Sequence, residues 1–281
     1  MTVDPASLND HYGSDDLAGR IRDALGPGPV TRADLQNLDE FHTRGIEATR
    51  ELADLAGLES GMRVLDLGCG LGGPARTFAD ECGCRVDGVE IVAEFCRVAT
   101  MLNDMTGLAD CVTIHEADMR HLPFGDGVFD RAMALHVLVN APDKAAMAAE
   151  VNRVLKPGGK LGVYEVCTGN GGALDYPVPW ASGPDLDHVE SDDSLKADIE
   201  VAGFKIETWE DVSGRVLDWF DGLASRFETG APRRPTGPTL GLVMGPDAAA
   251  KSMNLRRNLM EGRLRIFMGV AGTRSHVRDR N

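Results

Sequence analysis

The stretch that decides the fold is VLDLGCGLGGP, residues Val64 to Pro74. It runs an apolar segment, typical of a buried strand, directly into a glycine-dense turn. Gly68, Gly70 and Gly73 fit the Gly-x-Gly-x-x-Gly fingerprint, in which the missing Cβ atoms let the backbone approach a ligand closely. The pattern predicts a strand, a ligand-binding turn and a helix, in that order.

A carboxylate at the end of this strand indicates which ligand the turn holds. Asp66 lies two residues before the first glycine. A pyrophosphate bound there would meet its negative charge, although a helix N-terminus favours an anion. An amino-acid ammonium group would be attracted instead. Asp66 therefore favours a ligand with an ammonium group over a dinucleotide.

Acidic residues also end the next two predicted strands. Glu90 follows the strand-like segment 84–89, about 20 residues after the turn, where a carboxylate can accept hydrogen bonds from both ribose hydroxyls. That spacing is shared with NAD proteins. The next segment, 112–117, leads to Asp118 and Met119. Residues 129–136 predict a fourth strand, and residues 154–161 a helix end, a turn and a fifth strand.

The order of these motifs over residues 62–166 resembles the class I S-adenosylmethionine-dependent methyltransferases. The resemblance implies that Asp118 takes the adenine amino group and that Met119 covers the ring. Arg44 either pairs with the methionine carboxylate of the cofactor or lies on the surface. The cofactor-binding candidates are Asp66, Gly68, Cys69, Gly70, Gly72, Glu90, Ile91, Asp118, Met119, Leu135 and Arg44.

The rest of the chain is consistent with that family's architecture. Helical spacing predicts a helix from Ala6 to about Leu25 and another from about Arg44 to Gly57, and residues 214–258 hold two further helical stretches before a last strand at 263–270. We predict an α/β fold: a Rossmann-like, doubly wound, seven-stranded sheet with an antiparallel last strand. Residues 1–58 form an N-terminal helical arm or lid, and residues 59–281 the core with an insertion at 214–258. Such an insertion builds a substrate lid or the contact of a homodimer.

Candidate substrate and catalytic residues lie at the carboxyl edge of the sheet and on the added segments. His136 either orients or deprotonates a nucleophile or is a structural histidine. Asn140 either faces the same cleft or, as we favour, caps the helix that starts near residues 142–143. Tyr12 either contacts cofactor or substrate at the edge of a small-molecule pocket or belongs to a cluster that caps a helix. Tyr176 and Trp180 either cage an amine by cation–π attraction or pack in the core. The arm through about Leu25 and the loop around Trp180 are expected to close over the methyl donor.

Composition excludes several classes of protein. The chain has 29 basic and 44 acidic residues and a net charge of −15, which repels polyanions and argues against a nucleic-acid substrate. The six cysteines lack the paired spacing of a zinc site, so no metal is expected. The chain begins with an acidic segment without an apolar signal core, and no 18-residue apolar run occurs. We expect a cytoplasmic protein with reduced thiols that does not bind membranes.

These features predict an enzyme that transfers a methyl group from S-adenosylmethionine to a small molecule. The chain is similar to bacterial small-molecule methyltransferases related to sarcosine and dimethylglycine N-methyltransferases, which favours an amine nitrogen as the acceptor. The alternatives are O- or C-methylation of a natural product or quinone-type molecule. An NAD-dependent oxidoreductase and a cofactor-binding regulator without activity are the competing classes.

Overall fold

The computed structural model describes residues 16–228 and 237–274, and only the backbone of residues 224–228. The helices are α1 Leu17–Leu25, α2 Arg32–Leu35, α3 Ile46–Ala56, α4 Gly73–Cys82, α5 Ala93–Met105, α6 Lys144–Val154, α7 Asp192–Val201, α8 Ser213–Glu228, α9 Gly241–Met244 and α10 Ala248–Met260. The strands are β1 Arg63–Leu67, β2 Arg85–Glu90, β3 Val112–Glu116, β4 Phe129–Leu135, β5 Leu155–Thr168, β6 Phe204–Asp211 and β7 Leu264–Thr273. Tyr12 and the start of the predicted first helix lie outside the described residues.

The strands form a seven-stranded sheet in the order β3-β2-β1-β4-β5-β7-β6. Strand β7 is antiparallel to both of its neighbours, β5 and β6, and the other pairs are parallel. The predicted Rossmann-like sheet with an antiparallel last strand is therefore confirmed.

Helices cover both faces of this sheet because the strands bury apolar side chains on each side. One hydrophobic cluster joins Leu52 of α3 and Phe78 of α4 to the sheet. The cluster on the other side contains Met147 of α6 and Ile199 of α7. Helix α3 ends where the sequence predicts, because Gly57 adopts the left-handed conformation with φ 65°.

The strand register brings the predicted site residues to a common edge. Leu67, the last residue of β1, pairs with Val89 of β2 and with Ala134 of β4. The residues that follow, Gly68, Glu90 and His136, therefore emerge together at the carboxyl edge, where ligands bind in open α/β sheets.

The added segments differ from the sequence-based expectation in two respects. The insertion contains the short helix α9 in addition to the two longer helices, because Gly245 ends it after one turn. Helix α1 buries Leu17 and Ile21 in a cluster with Val98 and Leu102 of α5. The described part of the arm is thus packed along the outside of a core helix. Within the described part of the chain, no helix is both long and apolar enough to cross a membrane.

Candidate active site

A cavity of about 180 Å³ opens at the carboxyl edge of the sheet. A single water needs roughly 10–15 Å³ on such a measure, so the cavity has the size of a ligand site. Part of its lining comes from the strand ends and the glycine turn: Gly68, Gly70, Val89, Glu90, Ile91, Ala117, Asp118, Met119 and Leu135. Another part is an apolar wall: Phe41, Phe95, Trp180, Trp219, Phe220, Leu240, Met244 and Leu255.

The glycine turn has the backbone that the sequence predicts. Gly68, Gly70 and Gly72 have φ of 57°, 54° and 81°, a region that L side chains rarely adopt. A Cβ on Gly68 would lie 2.1 Å from Cγ2 of Val137, whereas a Cβ on Gly70 would meet nothing within 4 Å. Since Gly70 lines the cavity, its bare backbone leaves space for a ligand against the turn.

Glu90 ties this turn to the end of β2. One carboxylate oxygen accepts a hydrogen bond from the Gly70 N–H at 3.0 Å, and the other accepts from the N–H groups of Ile91 and Val92 at 2.8 and 2.9 Å. Burial raises the pKa of Glu90 although these three donors lower it. Glu90 lines the cavity, so its carboxylate both shapes the turn and faces the ligand space.

Asp66 lies behind the glycine turn rather than in the cavity wall. It is 1% exposed, and its Oδ2 has no hydrogen-bond partner among the described residues. Burial, Glu40 and Glu90 raise its pKa well above the ordinary value, while the Ala75 N–H lowers it. A ligand ammonium near this carboxylate would favour its ionised form.

Asp118 and Met119 both line the cavity, as predicted for the end of β3. Asp118 accepts hydrogen bonds from the Arg120 N–H at 2.9 Å and from its Nε at 3.0 Å. This arginine holds the pKa of Asp118 below its usual range. The residues at the ends of β1, β2 and β3 thus provide an open glycine cradle, a buried carboxylate and an ionised carboxylate, which together fit an adenosyl ligand that carries an ammonium group.

His136 presents an uncharged imidazole to the same cavity. Its backbone has φ 50°, its N–H donates to the Tyr164 carbonyl at 2.8 Å, and its ring stacks on Tyr164 with centroids 4.6 Å apart. Its Nε2 is buried and has no hydrogen-bond partner in the described part of the chain. Burial and the neighbouring His42 lower the pKa of His136 well below 6.5. A ligand with a hydrogen-bond donor would satisfy this nitrogen.

Asn140 faces the cavity instead of capping the next helix. The cap of α6 is Asp143, whose Oδ1 accepts from the Ala146 N–H at 2.9 Å. The prediction that Asn140 caps this helix is therefore wrong. Asn140 ends the turn at 138–140, which lies too early in the chain to reach the first turn of α6. Its Oδ1 is buried in the cavity lining with no partner in the structure as described.

The two predicted cage residues separate in the structure. Trp180, 5% exposed, lines the cavity, and its Nε1 donates to Asp187 at 2.9 Å. The Tyr176 hydroxyl donates to the other oxygen of Asp187 at 2.7 Å, and Tyr176 is not a lining residue. Asp187 thus fixes Trp180 in the wall, and a cage of both rings around one amine does not form.

Three further cofactor candidates lie outside the lining. Cys69 is buried against Gly88, and Gly72 packs near the Arg76 guanidinium. The Arg44 guanidinium pairs with Glu51 at 2.7 Å, and its second terminal nitrogen is buried without a partner that the structure describes. Because these three residues do not line the cavity, its lining does not support their predicted roles in cofactor binding.

Several lining residues were missed by sequence reasoning. His42 and Thr43 belong to a polar-aromatic cluster that the sequence does display, but their orientation could not be read from it. The Thr43 hydroxyl lies 2.6 Å from the Tyr164 hydroxyl, and burial lowers the pKa of His42 to about 4. Trp219 lies on α8 of the insertion and lines the cavity. The sequence indicated it only by an aromatic pair on an amphipathic helix.

Comparison with known proteins agrees with this site. The family model described as "Methyltransferase domain" matches residues 65–163, which include the glycine turn and the ends of β2, β3 and β4. The chain is 29% identical to Methyltransferase GfsG of Streptomyces halstedii over 215 residues, 74% of this chain and 69% of that protein. Residues 65–163 are a methyltransferase domain, which supports a class I S-adenosylmethionine-dependent methyltransferase. The predicted family, enzyme class and cofactor are thereby confirmed over the NAD-dependent alternative.

Solved structures similar to this methyltransferase show the fold over most of its length. The [4+2]-cyclase SpnF aligns with 26% identity and a TM-score of 0.62 over 81% of this chain and 80% of that one. A geranyl diphosphate C-methyltransferase from Streptomyces coelicolor A3(2), bound to S-adenosyl-L-homocysteine, aligns with 17% identity and a TM-score of 0.69 over 95% and 97%. This methyltransferase spans only 30–49% of the length of sterol 24-C-methyltransferases that it also matches.

Substitution of Glu90 should weaken cofactor binding. We expect Glu90→Ala to lower the binding free energy of S-adenosylmethionine by about 1.5–3 kcal/mol, as for lost hydrogen bonds to a charged group. Calorimetric titration measures this loss. Glu116→Ala is the matched control, because Glu116 pairs with Glu90 in the sheet register but is exposed and does not line the cavity. Unchanged affinity in Glu90→Ala would remove Glu90 from the site.

Proposed function

We propose that this chain methylates a small molecule with an apolar skeleton, at a nitrogen or oxygen whose proton can pass to His136. The observation that carries the proposal is the cavity itself, which joins the glycine turn to an aromatic and aliphatic wall and is lined by His136, whose Nε2 is buried without a partner among the described residues. Bound S-adenosylmethionine supplies an activated methyl group on its sulfonium.

Charge in the lining favours an apolar acceptor over a glycine derivative. The carboxylate of a glycine derivative would need a cation, and Arg120, the lining arginine, is engaged by Asp118. The eight residues of the apolar wall, as the structure describes it, are uncharged. Burying an unpaired carboxylate against such a wall would be costly. The family resemblance still favours nitrogen as the reacting atom, so the favoured acceptor is an apolar amine, and a hydroxyl compound is the alternative.

The protein's own contribution to transfer is alignment and proton removal. The apolar wall excludes water, and Trp180 is held in place by Asp187. The neutral imidazole of His136 accepts a hydrogen bond from the acceptor N–H or O–H and takes its proton as the new bond forms. Asn140 Oδ1 offers a second hydrogen-bond acceptor in the same cavity.

C-methylation is the second candidate. It is favoured by similarity to proteins named sterol 24-C-methyltransferases, of which one from Yarrowia lipolytica is 32% identical over 185 residues. A sterol is an apolar molecule and would suit the same wall. The unpartnered nitrogen of His136 favours a proton-bearing heteroatom over a carbon.

A panel of acceptors tests the proposal. The protein is incubated with S-adenosylmethionine and, separately, apolar amines, phenols, alkenes, glycine and sarcosine, and products are identified by mass. We expect turnover of apolar amines or phenols and little turnover of glycine or sarcosine. Faster turnover of sarcosine than of every apolar compound would contradict the apolar acceptor, and turnover of alkenes alone would favour carbon.

A further inference from the structure

The segment from His136 to Ala141 carries two cavity residues, His136 and Asn140, on a backbone that contains no α-helix or β-strand. A 3₁₀ turn at Leu138–Asn140 is its regular part. We call this segment the β4–α6 loop. The positions of His136 and Asn140 in the cavity therefore depend on the contacts that hold the loop.

Glu165 of β5 contacts the loop from outside the cavity lining. It is 1% exposed, its Oε2 accepts from the Leu138 N–H at 2.6 Å, and its Oε1 accepts from the Val166 N–H at 2.8 Å. The Val137 N–H also stabilises its charge. Glu165 is not a lining residue, so nothing in the proposed chemistry uses its carboxylate.

Lys144 holds the other end of the same loop. It is 6% exposed, and its Nζ donates to the Ala141 carbonyl at 3.0 Å and to the His188 carbonyl at 2.7 Å. The His188 N–H in turn donates to the Val139 carbonyl at 3.2 Å. The loop is thus held by a buried carboxylate at its start and a buried ammonium at its end.

We propose that Glu165 is a positioning residue, whose carboxylate sets the orientation of His136 and Asn140 by holding the Leu138 N–H group. The catalytic consequence rests on the proposed function; the hydrogen bonds do not. Displacement of a loop by about 1 Å can lower the rate about 100-fold. A residue that holds this loop can therefore affect the rate strongly without contacting the substrate.

The charge of Glu165 decides how firmly the loop is held. Burial raises its pKa to about 7, and the positive charge of Lys144 acts in the opposite direction. Cys167 is a further titratable group near it, and burial raises the pKa of this thiol, so that it is neutral. Glu190 pairs with Lys144 at 3.7 Å. Above a pH of about 7 the carboxylate accepts all of these N–H groups. Below that pH it gains a proton, so one oxygen becomes an O–H donor and a weaker acceptor, and the N–H groups are held less firmly.

Nuclear magnetic resonance of the unsubstituted protein tests the contact without any activity. We expect the Leu138 amide proton to titrate with a midpoint near the pKa of Glu165. A Leu138 resonance that stays constant from one pH unit below that value to one above it would overturn the proposal. Because this measurement requires no methyl acceptor, its outcome is independent of the proposed function.

Kinetics of Glu165→Gln test the consequence. We expect kcat to fall about 100-fold, the affinity for S-adenosylmethionine to stay unchanged, and the loss of rate below the pKa of Glu165 to disappear. Glu150→Gln is the matched control, because Glu150 accepts from the N–H of Leu122, a residue outside the lining, at 2.9 Å. Unchanged kcat with an unchanged pH profile in Glu165→Gln would overturn the proposal. If Glu165→Gln loses cofactor binding, the Leu138 titration decides.

Discussion

We expect His136→Asn to reduce kcat by about 10²–10⁴-fold, the usual contribution of a positioned proton acceptor. Asparagine is the informative replacement because His136 has φ 50°, a region that asparagine tolerates better than most residues. The backbone hydrogen bond to Tyr164 is retained, and the imidazole is lost. Binding of S-adenosylmethionine should be unchanged, since the predicted adenosyl contacts lie at the ends of β1, β2 and β3.

His121→Asn provides the control for this experiment. His121 is exposed and does not line the cavity, so its replacement should change neither kcat nor cofactor affinity. Wild-type kcat in His136→Asn would show that the unpartnered Nε2 has no part in transfer, and His136 would then be a structural residue stacked on Tyr164.

We expect Gly70→Ala to raise the dissociation constant of S-adenosylmethionine more than tenfold while the protein stays folded. The new methyl group would meet no protein atom within 4 Å, so it would project into the ligand space. The φ of 54° adds a strain of about 1–2 kcal/mol to the free energy of folding. Calorimetry measures the affinity, and denaturant unfolding measures the strain.

Gly107→Ala separates strain from the loss of ligand space. Gly107 has φ 72° and open space at its Cβ position, but it is remote from the cavity lining. It should lose a similar amount of folding stability and bind the cofactor like the wild type. Equal cofactor affinity in the two variants would contradict the assignment of the glycine turn as the cradle.

The core of the fold could be predicted from the sequence because its signals are local. Apolar runs that end in glycine or acidic residues predicted the strands, and the glycine pattern at 68–73 predicted the turn. The parallel register then brings Glu90 and Asp118 to the cavity without further information. The antiparallel last strand came from the family resemblance rather than from periodicity.

Side-chain direction could not be predicted, because it depends on which neighbouring carboxylate each side chain meets in the fold. Asp143 takes the helix cap that Asn140 was expected to provide. Asp187 binds the hydroxyl of Tyr176 and turns it away from the cavity. Glu51 engages Arg44, which the sequence offered as a partner for the cofactor. In each case a carboxylate within about a dozen residues is the determining group.

The described residues favour a different segment as the lid from the N-terminal arm that the sequence predicts. Helix α1 packs on α5 and contributes no lining residue, whereas Trp219, Leu240 and Leu255 of the insertion do line the cavity. Residues 1–15, with Tyr12, lie outside the described part of the chain. The insertion is therefore the better candidate for the cover of the acceptor, and closure by the N-terminal arm stays a prediction.

Calorimetric titration with S-adenosylmethionine and with NAD tests which ligand the glycine turn binds. Asp66 is a buried carboxylate at the glycine cradle next to Glu90, a combination that favours an adenosyl ligand with an ammonium group over a pyrophosphate. We expect saturable binding of S-adenosylmethionine and no measurable binding of NAD. Comparable or tighter binding of NAD would contradict it.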